Sequence, residues 1–221
     1  MFEFPPCSIV NRPIPKNKIL ERALPTTRLK ELLTHQIQQI LWHAKLAPET
    51  IRIPATPQVP EIQIFHLQLK GKELHPDVLE LLDKTIPQPI LFTIETSERK
   101  FAHSAAYKRP GEVDASQWVV KSRFTSDFIP EEKLTRLPLP TALDLSRLYT
   151  ALLAPLLPLD HRRAESLSDL IERCGAHQSL QRRIALLTAK VNREKQFNRK
   201  VALNQELKPL RAQLDALSKL T

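Results

Sequence analysis

Behind Thr26 and Thr27, either of which can cap a helix, Leu29, Leu32, Leu33, Ile37, Ile40, Leu41 and Ala44 recur at three- and four-residue spacing. That rhythm predicts one amphipathic helix running to about Lys45 and packing on a sheet. Before it, the chain from Met1 to about Pro15 reads as an extended, proline-pinned arm with Ile9, Val10 and Ile14 available to lie on the core. After Pro48 the period shortens. Ile51-Arg52-Ile53 predicts a short strand, and Glu61 to Lys70 a longer one, in which Ile62 and Ile64 alternate, then Leu67 and Leu69. Phe65-His66 marks a change of facing or a bulge between the two pairs. His75-Pro76-Asp77 opens a short helix with Val78, Leu81 and Leu82 on one side, since proline suits a first helical turn. Strands come next at Pro89 to Ile94, Phe101 to Lys108 (after the polar turn Thr96 to Arg99) and Gln117 to Phe124.

From Thr141 to about Leu157, Leu143, Leu145, Leu148, Tyr149, Leu152, Leu153 and Leu156 leave little polar surface, which predicts a helix buried between the sheet and the C-terminal arm. Pro155 and Pro158 end or kink it. Leu167, Leu170, Ile171 and Cys174 form a further amphipathic set, interrupted at Gly175. A final long helix carries Leu180, Ile184, Leu187 and Val191, then Leu203, Leu207, Leu210, Leu214 and Leu217, two stretches of heptad-like seam. Pro209 is expected to kink its second half. The pattern predicts an α+β fold: a mixed, mostly antiparallel sheet with helices mainly on one face over residues 1–160, and a helical, coiled-coil-like arm over 161–221.

Composition narrows the class. Among 221 residues, 42% hydrophobic and 26% charged, there is enough apolar material for one sizeable core. Three glycines against nineteen prolines make proline the main setter of turns. Cys7 and Cys174 lack disulfide-framework or zinc-ligand spacing and are expected to be reduced. No apolar run is long enough to span a membrane, and the start Met1-Phe2-Glu3-Phe4-Pro5-Pro6 lacks the order of a signal peptide, so a cytoplasmic protein is expected. The net charge is +9, and residues 161–221 hold thirteen Lys and Arg against six Asp and Glu. Most of the basic surplus therefore sits in the arm, where it would be attracted to phosphates or to an acidic protein face.

Candidate chemistry is sparse. Glycine-rich phosphate loops, HExxH and a nucleophile elbow at Ser104 are all missing, and His35, His43, His66, His75, His103, His161 and His177 are scattered singly. No cofactor is expected. The sharpest enzymatic reading is a divergent metal-dependent nuclease of the PD-(D/E)xK kind, in which two carboxylates hold magnesium and a lysine stabilises developing charge. The Glu61 to Lys70 strand, the helix after it and the Pro89 to Ile94 strand have the right order, but the acidic-x-Lys position reads Gln68-Leu69-Lys70, leaving Glu49 or Glu61 as the upstream carboxylate. The other candidate is Arg182 to Lys200, with seven basic residues against Glu194. Inside it Arg193, Glu194, Lys195, Gln196, Phe197, Asn198, Arg199 and Lys200 replace the apolar seam. On one continuous helix Arg193, Gln196 and Lys200 share a side and Glu194 and Asn198 another. Three readings stay open: a buried polar layer fixing helix register, a docking surface for a partner, and contact with nucleic acid.

Glu194-Lys195-Gln196-Phe197-Asn198-Arg199-Lys200-Val201, with Lys45 to Thr50, Pro60 to Phe65 and Ala106-Tyr107-Lys108-Arg109, resembles the bacterial family called domain of unknown function 4391 over nearly the whole chain. Members of that family are often encoded beside DNA methyltransferases and helicases of restriction or phage-defence type. The resemblance implies an accessory role in such a system and supplies no catalytic residues. The expectation is a non-catalytic accessory or scaffold subunit whose C-terminal helices bind a methyltransferase, a helicase or a second copy of the chain, with at most weak, non-specific DNA contact.

Overall fold

The computed structural model describes residues 2–111, 118–160, 162 and 165–219; Gln117 and His161 lie outside the described residues. Two compact units emerge, Met1–Leu156 and Leu157–Thr221. The first is an α+β domain on a mixed, mostly antiparallel sheet of strands β2 (Ile9–Pro13), β3 (Ile37–Leu46), β4 (Ile62–Leu69), β5 (Ile90–Glu95), β6 (Lys100–Pro110) and β7 (Trp118–Thr125), side by side in that order. Among the described strands of this sheet only β4 and β5 run parallel, joined by helix α4 (Pro76–Thr85) as a crossover. The short β8 (Ile129–Pro130) pairs with β6, and β1 (Phe2–Glu3) pairs with β9 (Leu137–Pro138) apart from the main sheet.

The sheet has two covered faces, and its centre owes its composition to that. Helices α1 (Lys16–Ala23), α2 (Thr27–Gln36) and α4 pack over Ile37, Ile40, Phe65, Leu67, Leu69, Phe92 and Ile94. Helix α5 (Leu145–Leu153), capped by Asp144, packs over Ala44, Leu46, Ile62, Ile64, Leu91 and Ala105 on the opposite face. Strand β4 is thus apolar in both directions, as a strand with a parallel neighbour usually is. The expected change of facing at Phe65-His66 is a plain alternation seen through two cores. At roughly 1.5–3 kcal/mol for each fully buried large aliphatic side chain, this central ladder contributes much of the domain's gross stabilisation.

Several expectations need correcting. The helix that begins at Thr27 ends at Gln36, and residues 37–46 are strand β3. Register shifts lie between Ile37 and Gln39 and between Trp42 and Ala44, each setting one extra β3 residue against β4. These bulges stretch the spacing of buried positions to Ile37, Ile40 and Ala44, a three-and-four rhythm that imitates a helix. Ile51-Arg52-Ile53 is not a strand: α3 (Pro48–Ile51) is a single helical turn closed by Arg52 at φ 58°. Helix α1 has no counterpart in the sequence pattern, and Leu143, expected in a buried helix, precedes α5 and is 75% exposed. Helices lie on both faces rather than mainly on one.

The second unit holds α6 (Leu167–Arg193) and α7 (Phe197–Ser218), which pack against each other as a hairpin. The expected single final helix is therefore two, and the expected break at Gly175 is absent because α6 runs straight through it. Pro209 sits within α7, removing one backbone hydrogen bond there. No helix among the described residues is long and apolar enough to cross a membrane.

Candidate functional site

The hairpin is built from its seam outward. Val191, Leu207 and Leu210 are buried, and Leu180, Ile184, Leu187, Leu203, Leu214 and Leu217 are half-buried. The predicted seam residues thus lie on two helices that pack on each other, rather than along one helix. At the open end two arginines clasp the structure. Arg173, 6% exposed in its side chain, holds Glu165 through Nε and Nη2 at 2.7 Å each, and donates to Leu217 O at 2.9 Å and Asp160 O at 2.6 Å. Arg162 donates to Ala216 O, Leu217 O and Lys219 O at 3.0–3.2 Å. The last carbonyls of α7 are therefore capped by cations, the favourable sign for a helix C-terminus. The Arg173 guanidinium, aided by the Arg162 backbone N–H, pulls the Glu165 carboxyl down to about 2.

At the closed end sits the predicted basic run. Arg193 ends α6, Glu194-Lys195-Gln196 form the turn, and Phe197 opens α7. Glu194 Oε1 accepts from the backbone N–H of Lys195 and of Gln196 at 2.9 Å each, which together with nearby Arg199 lowers its pKa. The single acid of the run is thus occupied in making the turn. Phe197 is 77% exposed, and Asn198, Arg199 and Lys200 are exposed in the first turn of α7. Because the helix breaks here, Arg193, Gln196 and Lys200 do not share a helical side, and Glu194 and Asn198 form no buried polar layer. Beside the turn, Lys190, Arg193, Glu194, Arg199, Ala202 and Leu203 line a groove of about 470 Å³.

The residues weighed for nuclease chemistry are rearranged. Glu61 precedes β4 and Lys70 comes after it, so the eight residues of the strand, at about 3.3 Å rise each, keep them apart. Lys45 instead stands between two carboxylates, 2.8 Å from Glu49 Oε1 and 2.9 Å from Glu61 Oε2. The hydrogen bonds that Lys45 donates to Glu49 and Glu61 raise its pKa. Gln63, 5% exposed, donates to Glu61 Oε1 at 2.8 Å, while its own side-chain oxygen is buried without a partner. Two of the segments that carry the family resemblance, 45–50 and 60–65, thus meet at one polar cluster.

Two further polar sites escaped the sequence pattern. Near the carboxyl ends of β4 and β5, His66, Gln68, Glu95, Arg99, Phe101, Glu131, Leu134 and Arg136 line a cleft of about 330 Å³. This is where an open sheet with a parallel pair commonly receives ligands. Here the charges largely satisfy one another: Glu95 meets His66 at 2.9 Å and Arg99 at 2.5 Å, and Arg99 forks onto Glu131. On the α4 side, Lys108 is fully buried, with Nζ 2.8 Å from Asp83 Oδ1 and 2.7–3.0 Å from the carbonyls of Asp83, Ile86 and Gln88. Arg123 pairs with the other Asp83 oxygen. Burial pushes the Lys108 pKa down to about 7, whereas the four oxygens around Nζ hold its proton; the short contacts favour the charged form. This network ties β6 and β7 to the C-terminal end of α4.

The histidines of the sheet supply a pH signature. Burial lowers His43 and His66, and pushes His103 down to about 4. A histidine whose folded pKa lies below its unfolded value binds fewer protons folded than unfolded, so its contribution is fully present above about pH 6.5 and is lost as the pH falls toward 4. We expect the sheet domain to lose up to about 3 kcal/mol through His103 across that window. Thermal midpoints measured against pH check this, and His103→Gln should flatten the slope between pH 6.5 and 4.

A sheet domain and a basic helical hairpin, clasped at its open end by Arg162 and Arg173, define an α+β protein. The chain belongs to the family described as Domain of unknown function (DUF4391), whose model matches residues 2–214. No curated protein matches the chain significantly, and no solved structure does.

Proposed function

We propose that the protein is a cytoplasmic, non-catalytic accessory subunit of a DNA-modification or phage-defence complex, and that it docks on its partner through the turn end of the helical hairpin. One observation carries this reading. The hairpin's open end is internally satisfied, yet its turn end presents Phe197 at 77% exposure beside Lys190, Arg193, Lys195, Arg199 and Lys200, with Glu194 consumed by the turn. Exposed aromatic and arginine side chains are typical anchors of protein interfaces. A partner such as a neighbouring methyltransferase or helicase, or a second copy of the chain, would meet this end first. Ending the chain after Leu180 would cut α6 and discard α7 with Leu217, one of the partners of Arg173, so surface substitutions are the cleaner test. Phe197→Ser with Arg193→Glu and Lys200→Glu should abolish co-purification with the neighbouring gene products while leaving the far-ultraviolet dichroism unchanged. Retention of the complex would overturn the reading.

DNA contact is secondary here. Binding of the isolated protein to duplex DNA should be weak and indifferent to sequence, and should fall steeply with salt through counterion release. Titrations at several salt concentrations with two unrelated duplexes test this, and salt-resistant discrimination between them would mean that bases are read.

A second reading, a divergent metal-dependent nuclease, is favoured by the Glu49, Lys45, Glu61 and Gln63 cluster, which supplies two carboxylates, a lysine and an unpartnered amide oxygen. Magnesium-dependent DNA cleavage lost in Glu61→Ala and in Lys45→Ala, with folding intact, would establish it over the accessory reading.

A further inference from the structure

The groove beside the turn carries the docking reading further. Lys190, Arg193, Glu194, Arg199, Ala202 and Leu203 line the groove; lysine and arginine lay their aliphatic stems along apolar surface and keep their charged heads in water, which makes Ala202 and Leu203 the apolar floor and the charged groups the rim. Lys190 lies four residues after Leu186 and three before Arg193, so these residues share one flank of α6. Leu186, 69% exposed, extends the apolar strip along that flank. Lys190 and Arg193 form no ion pair among the described residues, and Glu194 is engaged by two backbone N–H groups. The groove is therefore partly apolar in its lining and carries three cations, Lys190, Arg193 and Arg199, against the single carboxylate of Glu194. Two helices also bury their shared seam only in part: Leu180, Ile184, Leu187 and Leu203 remain half-buried.

We infer that this groove receives an acidic amphipathic helix of a partner protein, which lays its apolar face over Leu186, Ala202 and Leu203 and its carboxylates against Lys190, Arg193 and Arg199, completing a three-helix bundle. The inference rests on the docking reading above and names the partner's chemistry. An α-helix in an apolar groove is a recurrent recognition mode, and a third helix is what a half-covered two-helix seam lacks. Charge complementarity selects the sign of the occupant. A nucleic-acid backbone would satisfy the rim but leave the apolar floor uncovered, which is why a protein helix is the better fit.

The test uses the full chain and three probes: a synthetic helix with Leu on one face and Glu on the other, a scrambled peptide of identical composition, and a short DNA duplex. The amphipathic helix should bind at least about tenfold more tightly than the scrambled peptide. Lys190→Glu with Arg193→Glu should abolish that binding, and Ala202→Trp, which fills the groove without changing charge, should weaken it by about tenfold or more. Asn204→Ala, outside the groove, should leave it unaltered. Equal binding of the scrambled peptide, tighter binding of the duplex, or indifference to Ala202→Trp would overturn the inference. If Ala202→Trp is silent while the Phe197, Arg193 and Lys200 substitutions still release the native partner, the groove is wrong and the docking reading stands. If those substitutions release nothing, the docking reading itself falls.

Discussion

Arg173→Leu is expected to unfold the C-terminal hairpin while the sheet domain stays folded. The substitution leaves Glu165, whose side chain is 9% exposed, without its bidentate partner, takes the Arg173 donor from Asp160 O, and leaves Leu217 O to Arg162 alone. Breaking a buried pair by removing one member costs about 3–5 kcal/mol, because an uncompensated charge stays behind. That is comparable with the whole stability of a small helical unit. The same contact sets the hairpin's acid response. The folded pKa of Glu165 is about 2, below the ordinary 4.5, so its contribution is fully present above pH 4.5 and is lost as the pH falls toward 2. Amide exchange resolved along the chain should show residues 167–218 losing protection in Arg173→Leu and residues 37–106 keeping it. Pairing Arg173→Leu with Glu165→Leu should recover part of the loss, since no lone charge then remains.

Lys108→Met is expected to have the other large effect, on the sheet domain. It removes the ammonium that satisfies Asp83 and three carbonyls at the end of α4, where both Lys108 and Asp83 have fully buried side chains. Arg123 keeps its pairing with one Asp83 oxygen, so the charge stays balanced and what is lost is the donor to Asp83 Oδ1 and to the three carbonyls. Buried polar groups left without a partner cost about 1–3 kcal/mol each, so a loss of at least about 3 kcal/mol is expected. Asp83→Leu together with Lys108→Met also strips Arg123 of its carboxylate, so it should cost more than Lys108→Met alone but less than the sum of the two single losses. Denaturant unfolding of the two single variants and the double variant closes the cycle, and strictly additive effects would show that the pair is not coupled.

Much of this architecture is legible because strong periodicity survives without tertiary information. The run Ile62 to Leu69, the proline-opened helix at Pro76 and the strands at Ile90 and Lys100 all stand where their apolar patterns put them. Strand β3 is not legible, since two bulges give its buried residues the spacing of a helix, and only pairing with β2 and β4 decides between the two. The seam leucines of the arm are visible in the sequence, but the hairpin is not. Its signal is local: Glu194 as a carboxylate able to take two backbone N–H groups within a three-residue polar turn. The clasp by Arg162 and Arg173 joins residues more than forty positions apart, and such contacts leave no periodic trace. Lys108 with Asp83 and Lys45 with Glu61, though closer in sequence, likewise join different elements and leave no periodic trace, and a lysine in strand β3 stands beside the carboxylates instead of Lys70.

Docking through the turn end of the hairpin is tested most directly by light scattering on the chain co-expressed with the product of its neighbouring gene. The wild-type chain should run at the summed mass of the complex. The chain carrying Phe197→Ser, Arg193→Glu and Lys200→Glu should run, folded, at its own mass. A triple variant that still elutes at the mass of the complex would contradict the account.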